Sequence, residues 1–256
     1  MRLGFSPFNA ELPYSEAFRL ASEHGLFLEV AYDLHEALPA LPSAEELKAM
    51  GRAYGVGFTL HLPFVDLNPA SLIPSVQRLS TERLLRALDF GAKLEAEVGV
   101  LHTGQVPLRH PMALQAAREA LEKTLSALLP LPFPVALENL ALSPHDLVQG
   151  VEGLAGVLQA FPEYGFCLDV GHALVELGPQ GPLLYQALKG RLIHLHLHDN
   201  HGTRDDHLPI GAGKVPWEAL RPLFSGFKGT AALEVTGGLE GLRTSLRRLG
   251  TLVLGP

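Results

Sequence analysis

Short apolar runs alternate along the whole chain with longer stretches in which apolar residues recur every three or four positions. The short runs predict buried β-strands, and the longer stretches predict amphipathic helices. The predicted strands span residues 2–6, 26–31, 57–61, 98–102, 135–138, 166–169, 192–198 and 230–235. The predicted helices span residues 14–24, 44–54, 81–96, 112–129, 147–161, 183–188, 217–224 and 239–249.

Signals at the ends of several predicted helices support this alternation. Residues 43–46 read SAEE, which predicts a capping box at the start of a helix. Gly25 and Gly55 each follow a predicted helix, as expected of a residue that ends one. Pro216 stands immediately before another predicted helix.

Eight strands, each followed by a helix, recur within 256 residues without an interrupting linker. This count predicts an α/β fold, a (β/α)8 TIM barrel, which forms a single domain over residues 1–256. A doubly wound sheet is the alternative. The sequence after the first predicted strand reads FSPFNAELP, however, and lacks the Gly-rich phosphate loop of that fold.

The composition excludes several classes of protein. A hydrophobic fraction of 47% is too high for a disordered chain. The single cysteine excludes a disulfide framework and a cysteine-based zinc site, so we expect a cytoplasmic location. No signal-peptide pattern opens the chain, and no apolar run reaches the roughly 18 residues of a membrane helix, so we expect no membrane partner. The formal net charge of −7 disfavours a nucleic-acid partner.

Imidazole and carboxylate side chains stand at or just after the ends of six consecutive predicted strands. Barrel enzymes carry their reactive residues there because the following loops share one mouth. Side chains alternate along a strand, so His194, His196 and His198 within residues 192–198 are predicted to point into the barrel. His194 lies one layer deeper than His196 and is interpreted as a structural residue. Four histidines on helices or connecting loops are interpreted as structural, namely His24, His35, His110 and His145. The candidate metal ligands are His61, His102, Glu138, Asp169, His172, His196, Asp205, His207 and Glu234.

Four of these candidates are carboxylates, which would repel one another strongly at a shared mouth. Neutral imidazoles would offset only part of that repulsion, whereas divalent cations would resolve it. Nitrogen and oxygen ligands without a thiolate suit Zn²⁺, Mn²⁺, Co²⁺ or Fe²⁺. Nine candidate ligands exceed what one ion uses, so bridging carboxylates would allow two or three ions.

Several motifs, in this order along the chain, resemble the xylose isomerase-like barrel superfamily. That group includes sugar and sugar-phosphate isomerases and epimerases, and also the endonuclease IV branch. The long segment around the seventh predicted strand, with a DxH followed by LPIGxG, is the most specific part of the resemblance. The motifs are TLHLPF at 59–64, LHTG at 101–104, ALENL at 136–140, CLDVGHA at 167–173, IHLHLHDNHGTRDDHLPIGAGKVPW at 193–217 and ALEV at 232–235.

The resemblance implies two different metal inventories. In the isomerase and epimerase members, one ion is held at positions that match Glu138, Asp169, His196 and Glu234, and a histidine that matches His172 binds substrate. In the endonuclease IV branch, three zinc ions are held at positions that match all nine candidate ligands. We therefore expect a divalent metal, Zn²⁺ or Mn²⁺, with one to three ions per chain.

The surroundings of the ligands depart from the endonuclease IV pattern. That branch has HPG where this chain has HTG at 102–104, and ENTAGQG where this chain has ENLALSP at 138–144. Only Arg109, Arg204 and Lys214 are basic residues expected at the mouth. Because phosphate neutralisation dominates affinity for DNA, duplex DNA is a disfavoured partner.

The function predicted from the resemblance and these residues is a metal-dependent isomerase or epimerase of a small sugar or sugar phosphate. The ion would stabilise the enediolate that forms when a proton leaves carbon, and Glu138 and Glu234 would be the acid/base pair. The predicted substrate-binding residues are His172, His198, Arg204, Lys214 and Phe64, with a phosphate held by Arg204 or Lys214.

Two other functions stay open. The first is an endonuclease IV-like phosphodiesterase with three ions, which would be an AP endonuclease or another phosphate ester hydrolase. The second is a metal- or sugar-binding barrel without catalysis, in which Glu138 and Glu234 are ligands only. The sequence does not predict the oligomeric state.

Overall fold

The computed structural model describes residues 1–38, 41–140 and 143–254. Two residues of the ENLALSP stretch, 141 and 142, lie outside the described residues. Eight parallel strands pair in chain order, and the first closes the barrel on the last, with Arg2 opposite Thr230. The predicted barrel is confirmed. The strands are β1 Arg2–Phe5, β2 Phe27–Ala31, β3 Phe58–His61, β4 Gly99–Leu101, β5 Val135–Glu138, β6 Gly165–Asp169, β7 Leu192–Leu197 and β8 Thr230–Leu233.

Helices connect the strands and cover the outside of the barrel. Two 3₁₀ segments, Gly178–Gln180 and Tyr185–Arg191, flank the shortest α-helix. The α-helices are α1 Tyr14–His24, α2 Tyr32–Ala37, α3 Ala44–Tyr54, α4 Pro74–Leu94, α5 Pro111–Ala127, α6 Gly150–Ala160, α7 Val170–Leu177, α8 Gly181–Leu184, α9 Trp217–Gly226 and α10 Gly238–Leu254. Within the described residues, no helix is both long enough and apolar enough to cross a membrane.

The helix-end signals read from the sequence are present in the structure. Ser43 and Glu46 form the reciprocal capping box at the start of α3. Gly25 and Gly55 end α1 and α3 in the left-handed conformation, with φ of 64° and 70°. Both helices therefore have the bounds that the sequence predicts.

Several helical features differ from the prediction. The helix predicted over residues 183–188 is divided, because α8 ends at Leu184 and the 3₁₀ segment Tyr185–Arg191 follows it. Helices α2 and α7 were not predicted, and α4 begins at Pro74, seven residues before the predicted start at residue 81. Pro74 occupies the first turn of α4, where a missing N–H has no cost. The extra helices start directly at the ends of β2 and β6, without an intervening loop.

The apolar core is divided by the barrel wall. A large outer cluster packs the helices on the strands, whereas a small inner cluster holds only Val98, Val100, Ala136 and Cys167. Beside and above this inner layer the barrel interior is polar. His194 lies level with Cys167 in the sheet, His196 lies level with Asp169, and all three polar residues are fully buried. Because buried polar groups need partners, these residues indicate a polar site at the mouth of the barrel.

Candidate metal centre

A cavity of about 340 Å³ opens at the carboxyl-terminal ends of the strands. Its lining comes from the ends of the strands, from the loops that follow them and from the helices α2 and α7. Two of the nine candidate ligands, Asp169 and His196, are fully buried against the others. The seven candidates that line the cavity are His61, His102, Glu138, His172, Asp205, His207 and Glu234.

The Glu138 carboxylate lies at the centre of this cluster. Its Oε1 is 2.8 Å from His196 Nδ1, and its Oε2 is 2.9 Å from His102 Nε2. The Nδ1 of His61 lies 2.9 Å from the carbonyl oxygen of Leu62, which can only accept, so the ring proton is on Nδ1. His61 therefore turns an unprotonated Nε2 towards Glu138 Oε2, at 3.7 Å.

Asp169 ends β6 and also caps α7. Its Oδ1 accepts the backbone N–H of His172 at 2.7 Å, and His198 Nε2 lies 3.0 Å from both carboxylate oxygens. The Asn139 side chain donates to the Asp169 carbonyl and accepts its N–H, each at 2.9 Å. A Cβ on Gly171 would lie 2.1 Å from the His198 ring, so this close packing requires glycine. These contacts fix the Asp169 carboxylate in one position.

Asp205 and His207 lie on the loop between β7 and α9. The Oδ2 of Asp205 is 3.2 Å from His172 Nε2 and 2.8 Å from His207 Nε2. The Nδ1 of His207 lies 2.7 Å from the backbone oxygen of Glu234, which follows β8. This loop therefore links the ligand groups of the sixth and eighth strands.

A buried aspartate, Asp199, organises the same loop. Its carboxylate accepts four hydrogen bonds of 2.9–3.0 Å, and its backbone pairs with Leu208 in both directions. All of the lone pairs that a carboxylate directs in its plane are then used. The four donors are the backbone N–H groups of Asn200, Gly211 and Val215 and the indole N–H of Trp217.

The charges at the mouth shift the pKa values of its carboxyl and imidazole groups in different directions. Burial alone would raise the pKa of the Glu138 carboxyl, but His196 and His102 hold that pKa well below its ordinary value. Burial alone would lower the pKa of His172, but Asp169 and Asp205 raise it well above the ordinary value. Burial prevails at His102 and lowers its pKa. The cluster therefore consists of ionised carboxylates held by imidazoles.

A family model described as xylose isomerase-like TIM barrel matches residues 18–252. The chain belongs to the xylose isomerase-like TIM barrel family. The resemblance of its motifs to this family is thereby confirmed.

Among the relatives, MJ1311 of Methanocaldococcus jannaschii is 30% identical over 195 residues, which are 71% of this chain. The match spans 65% of the length of MJ1311.

Solved structures share the xylose isomerase-like fold with this chain. A D-tagatose 3-epimerase-like protein superposes with a TM-score of 0.80, covers 98% of this chain and 97% of its own, and is 24% identical. The TTHB071 protein from Thermus thermophilus, whose structure followed soaking with ZnCl2, has a TM-score of 0.75 and is 32% identical. That comparison covers 100% of this chain and 98% of the other.

The donor set of this xylose isomerase-like barrel fits divalent cations. Imidazole nitrogens and carboxylate oxygens converge on one another, and no thiolate faces the cavity among its described lining residues. The Oε2 atom of Glu138 is buried and makes no hydrogen bond of good geometry within the described part of the chain. A cation between this oxygen and the nearby His61 Nε2 would satisfy both acceptors. The described residues contain five groups whose ligand atoms lie within 4.8 Å of one another. These groups are His61, His102 and Glu138; Glu138, Asp169 and His196; Glu29, His196 and Glu234; Cys167, His194 and His196; and His172, His198, Asp205 and His207.

Phe64, one of the predicted substrate-binding residues, lines the cavity. Its ring centroid is 4.6 Å from that of His102 and 5.2 Å from that of His61, and 46% of the residue is exposed. His198, in contrast, is fully buried and contacts Asp169. The first side chain is therefore accessible to a ligand, whereas the second supports a candidate metal ligand.

The basic residues predicted at the mouth do not line the cavity. Arg204 is 83% exposed and pairs with Asp206, and Lys214 is exposed. Arg109 donates to the backbone oxygen of Asp146 at 2.8 Å. The described lining of the cavity therefore contains no Arg or Lys side chain.

The sequence interpretation missed three polar residues that support the site. Glu29 in β2 is 1% exposed, and Asn139 and Asp199 are also buried. A signal existed for Glu29, because it is the one charged residue of the apolar run FLEVA. Asn139 directly follows the end of β5, and Asp199 directly follows the alternating histidines of residues 194–198. Polar residues just beyond the strand ends of a barrel indicate a role at the site.

Proposed function

We propose that this protein is a metal-dependent isomerase or epimerase of a small, uncharged sugar. One observation carries the proposal. The Nδ1 atom of His196 lies 2.8 Å from an oxygen of Glu138, 3.8 Å from one of Asp169 and 3.6 Å from one of Glu234. One oxygen of each of these three carboxylates thus lies within 3.8 Å of the same imidazole nitrogen at the base of the cavity, which supports a ligand set for one divalent ion.

These four residues would hold the first ion, which we propose to be Zn²⁺ or Mn²⁺. When bound, the ion would polarise the carbonyl and hydroxyl oxygens of the sugar, so that the adjacent carbon loses a proton more easily. Further ions, up to three in all, would be held by the other candidate ligands. These are His61, His102, His172, Asp205 and His207.

Glu138 and Glu234 are the proposed catalytic pair. Both line the cavity, so one carboxylate can take the proton from the carbon beside the carbonyl while the other returns a proton on the opposite face. A proton returned to the opposite face of the same carbon gives an epimer. A proton returned to the neighbouring carbon gives an isomer, with a matching proton transfer between the two oxygens.

The apolar part of the cavity lining supports an uncharged substrate. Phe8, Leu34, Phe64 and Val65 provide apolar surface there, which suits the C–H face of a sugar. The Asp33 carboxylate accepts the backbone N–H groups of Phe64 and Val65 at 2.9 and 3.2 Å, which holds this part of the lining in place. A phosphate would meet no Arg or Lys among the described residues of this lining.

The convergence of all nine candidate ligands favours a second candidate, a phosphate ester hydrolase with three ions. Such an enzyme attacks phosphorus with an activated water and stabilises the leaving oxygen. The ions themselves would then supply the positive charge that the cavity lining lacks. DNA remains a disfavoured substrate because no Arg or Lys side chain that would neutralise its backbone is in the described lining of the cavity.

The two candidates are separated by one assay. Protein loaded with Zn²⁺ or Mn²⁺ is incubated with a panel of ketoses, their phosphates, and an abasic-site duplex, and products are identified by NMR or electrophoresis. We expect interconversion of an uncharged ketose that EDTA abolishes and added metal restores. Hydrolysis of a phosphate ester, with no sugar interconverted, would support the second candidate instead.

A further inference from the structure

Glu29 is a buried carboxylate that is not among the nine candidate ligands. It lies on β2, within the barrel, and 1% of it is exposed. The interior of a TIM barrel is normally filled by branched apolar side chains, and burying a carboxylate without partners is costly. Other interior positions follow that rule, since Val98, Val100 and Ala136 are apolar. A carboxylate at this position therefore requires polar partners.

The contacts of Glu29 lead to the histidines of β7. Its Oε2 accepts the Thr59 hydroxyl at 2.8 Å and lies 3.0 Å from His194 Nε2, whose other nitrogen is 2.7 Å from the Thr230 hydroxyl. Its Oε1 lies 3.1 Å from His196 Nε2. Within the described residues, this oxygen and both Nε2 atoms make no hydrogen bond of good geometry, to one another or elsewhere. The contacts of Glu29 with the two rings are therefore ion-pair contacts of 3.0 and 3.1 Å.

The His196 ring consequently joins two sets of carboxylates. Its Nε2 faces Glu29, and its Nδ1 faces Glu138, Asp169 and Glu234. A carboxylate at Nε2 accepts a proton but cannot donate one, so a neutral His196 keeps its single ring proton on Nε2. The Nδ1 lone pair then points at the candidate metal position.

We propose that Glu29 is a positioning residue, which fixes the tautomer and the ring orientation of His196 so that Nδ1 ligates the metal. The inference rests on the metal centre of the proposed function. A carboxylate behind a ligating imidazole holds the ring and makes it a stronger donor, and its loss typically weakens metal affinity about 10- to 100-fold. Thr59 orients the Glu29 carboxylate in turn, through its hydroxyl.

The test compares Glu29→Gln with Thr230→Val, which alters the same buried network at His194 without touching His196. We expect Glu29→Gln to bind Zn²⁺ about 10- to 100-fold more weakly than wild type, by competition with a chromophoric chelator. The absorption spectrum of the Co²⁺-loaded protein should also change. Thr230→Val should lose stability, because it leaves His194 Nδ1 without a partner, and should keep the wild-type affinity and spectrum.

Several outcomes would overturn the inference. A folded Glu29→Gln protein with wild-type affinity and spectrum would give Glu29 a purely structural role. A loss of one ion, with the affinity for the others unchanged, would make Glu29 a ligand itself. If Glu29→Gln fails to fold, Glu29→Asp serves in its place, since a carboxylate one methylene shorter should weaken Zn²⁺ binding and unchanged binding would refute the role. Wild-type protein that binds no Zn²⁺ would refute this inference and the metal centre together, whereas the other outcomes leave the centre standing.

Discussion

The histidines at the mouth differ in the ring nitrogen that they turn towards the cluster. His61, His172 and His207 each place Nδ1 against a backbone carbonyl oxygen, at 2.9, 3.0 and 2.7 Å. Since a carbonyl only accepts, each of these rings keeps a proton on Nδ1, and in the neutral form its Nε2 lone pair faces the cluster. His196 has the opposite arrangement, since its Nε2 faces the Glu29 carboxylate and its Nδ1 faces the cluster. The Glu29 carboxylate takes the place that a backbone carbonyl has at the other three rings. The backbone of His196 is already engaged in the barrel ladder on both sides.

Replacing Glu234 with glutamine tests the proposed acid/base pair. The amide keeps the shape of the side chain but cannot take up a proton, so we expect kcat to fall about 100- to 10,000-fold with metal supplied in excess to keep the site loaded. Steady-state kinetics and metal analysis by mass spectrometry measure the two effects. Glu240→Gln on α10 is the matched control, because that glutamate is 75% exposed and contacts Arg247. Wild-type turnover by Glu234→Gln would leave Glu234 without a catalytic role.

Position at a strand end is what made the ligand cluster predictable from sequence. A residue such as His102 or Glu234, just beyond the end of its strand, reaches the mouth because all parallel strands end at the same face. Glu29 could not be assigned in this way. Its partners are on β7, which is not adjacent to β2 in the barrel, and only the closed structure brings them together.

At the scale of elements, regular amphipathic helices were predictable and short ones at the mouth were not. Helix α7 begins where β6 ends, with Asp169 as both the last strand residue and the helix cap. Its first five residues, 170–174, are all buried, so the helix presents no polar face that a periodic pattern could reveal. The function of this element is to carry His172 to the cavity.

The loop between β7 and α9 depends on the four hydrogen bonds accepted by Asp199. Asp199→Asn would place an amide NH2 against two of the donors, at a cost of about 2–5 kcal/mol in the free energy of unfolding. We also expect weaker Zn²⁺ binding, because the loop carries Asp205 and His207. Denaturant titration and chelator competition measure both changes. Glu218→Gln, an exposed substitution on α9, should change neither, and an equally stable Asp199→Asn would contradict this role of Asp199.

Helix α2 is held by a half-buried histidine away from the ligands. His35 Nε2 lies 2.8 Å from the Tyr14 hydroxyl, and burial lowers the pKa of His35. A lowered pKa in the folded state means that this stabilisation is present above about pH 6.5 and is lost as the pH falls through the folded pKa. We therefore expect His35→Gln to lose less stability than wild type between about pH 7.5 and 5.

Denaturant melts at both pH values, with EDTA in all samples, measure this difference. The mouth histidines titrate alike in the two proteins, so their effect cancels in the comparison. His24→Gln, at the exposed end of α1, is the control and should follow wild type. Parallel pH dependence of wild type and His35→Gln would show that His35 does not titrate in this range.

The net charge of −7 for the whole chain is partly accounted for by the candidate metal ligands. Part of it belongs to carboxylates that converge at the mouth, and three divalent ions would bring the protein to roughly −1. The sequence predicted the barrel because eight strand–helix units repeat the same signal. The number of ions and the identity of the sugar depend on spacings between side chains from different strands, which periodicity does not encode.

Removal of metal should destabilise the protein as a whole. An ion at about 1,000 times its Kd adds about 4 kcal/mol to the free energy of unfolding, since it binds only the folded chain. For a chain of this length we expect EDTA to lower Tm by roughly 10 °C and excess Zn²⁺ to restore it. Calorimetry measures both steps. Glu240→Gln should respond like wild type, and a Tm independent of EDTA and Zn²⁺ would argue against a tightly bound ion.

The central claim, proton transfer at a sugar carbon, is tested most directly by turnover in D2O. Metal-loaded protein is incubated with the ketose that it converts, and the recovered sugars are analysed by NMR and mass spectrometry. We predict deuterium bound to carbon at the position that inverts or isomerises, because the Glu138 and Glu234 carboxyl protons exchange with solvent. Conversion without carbon-bound deuterium, or no conversion of any ketose by fully loaded protein, would contradict the account.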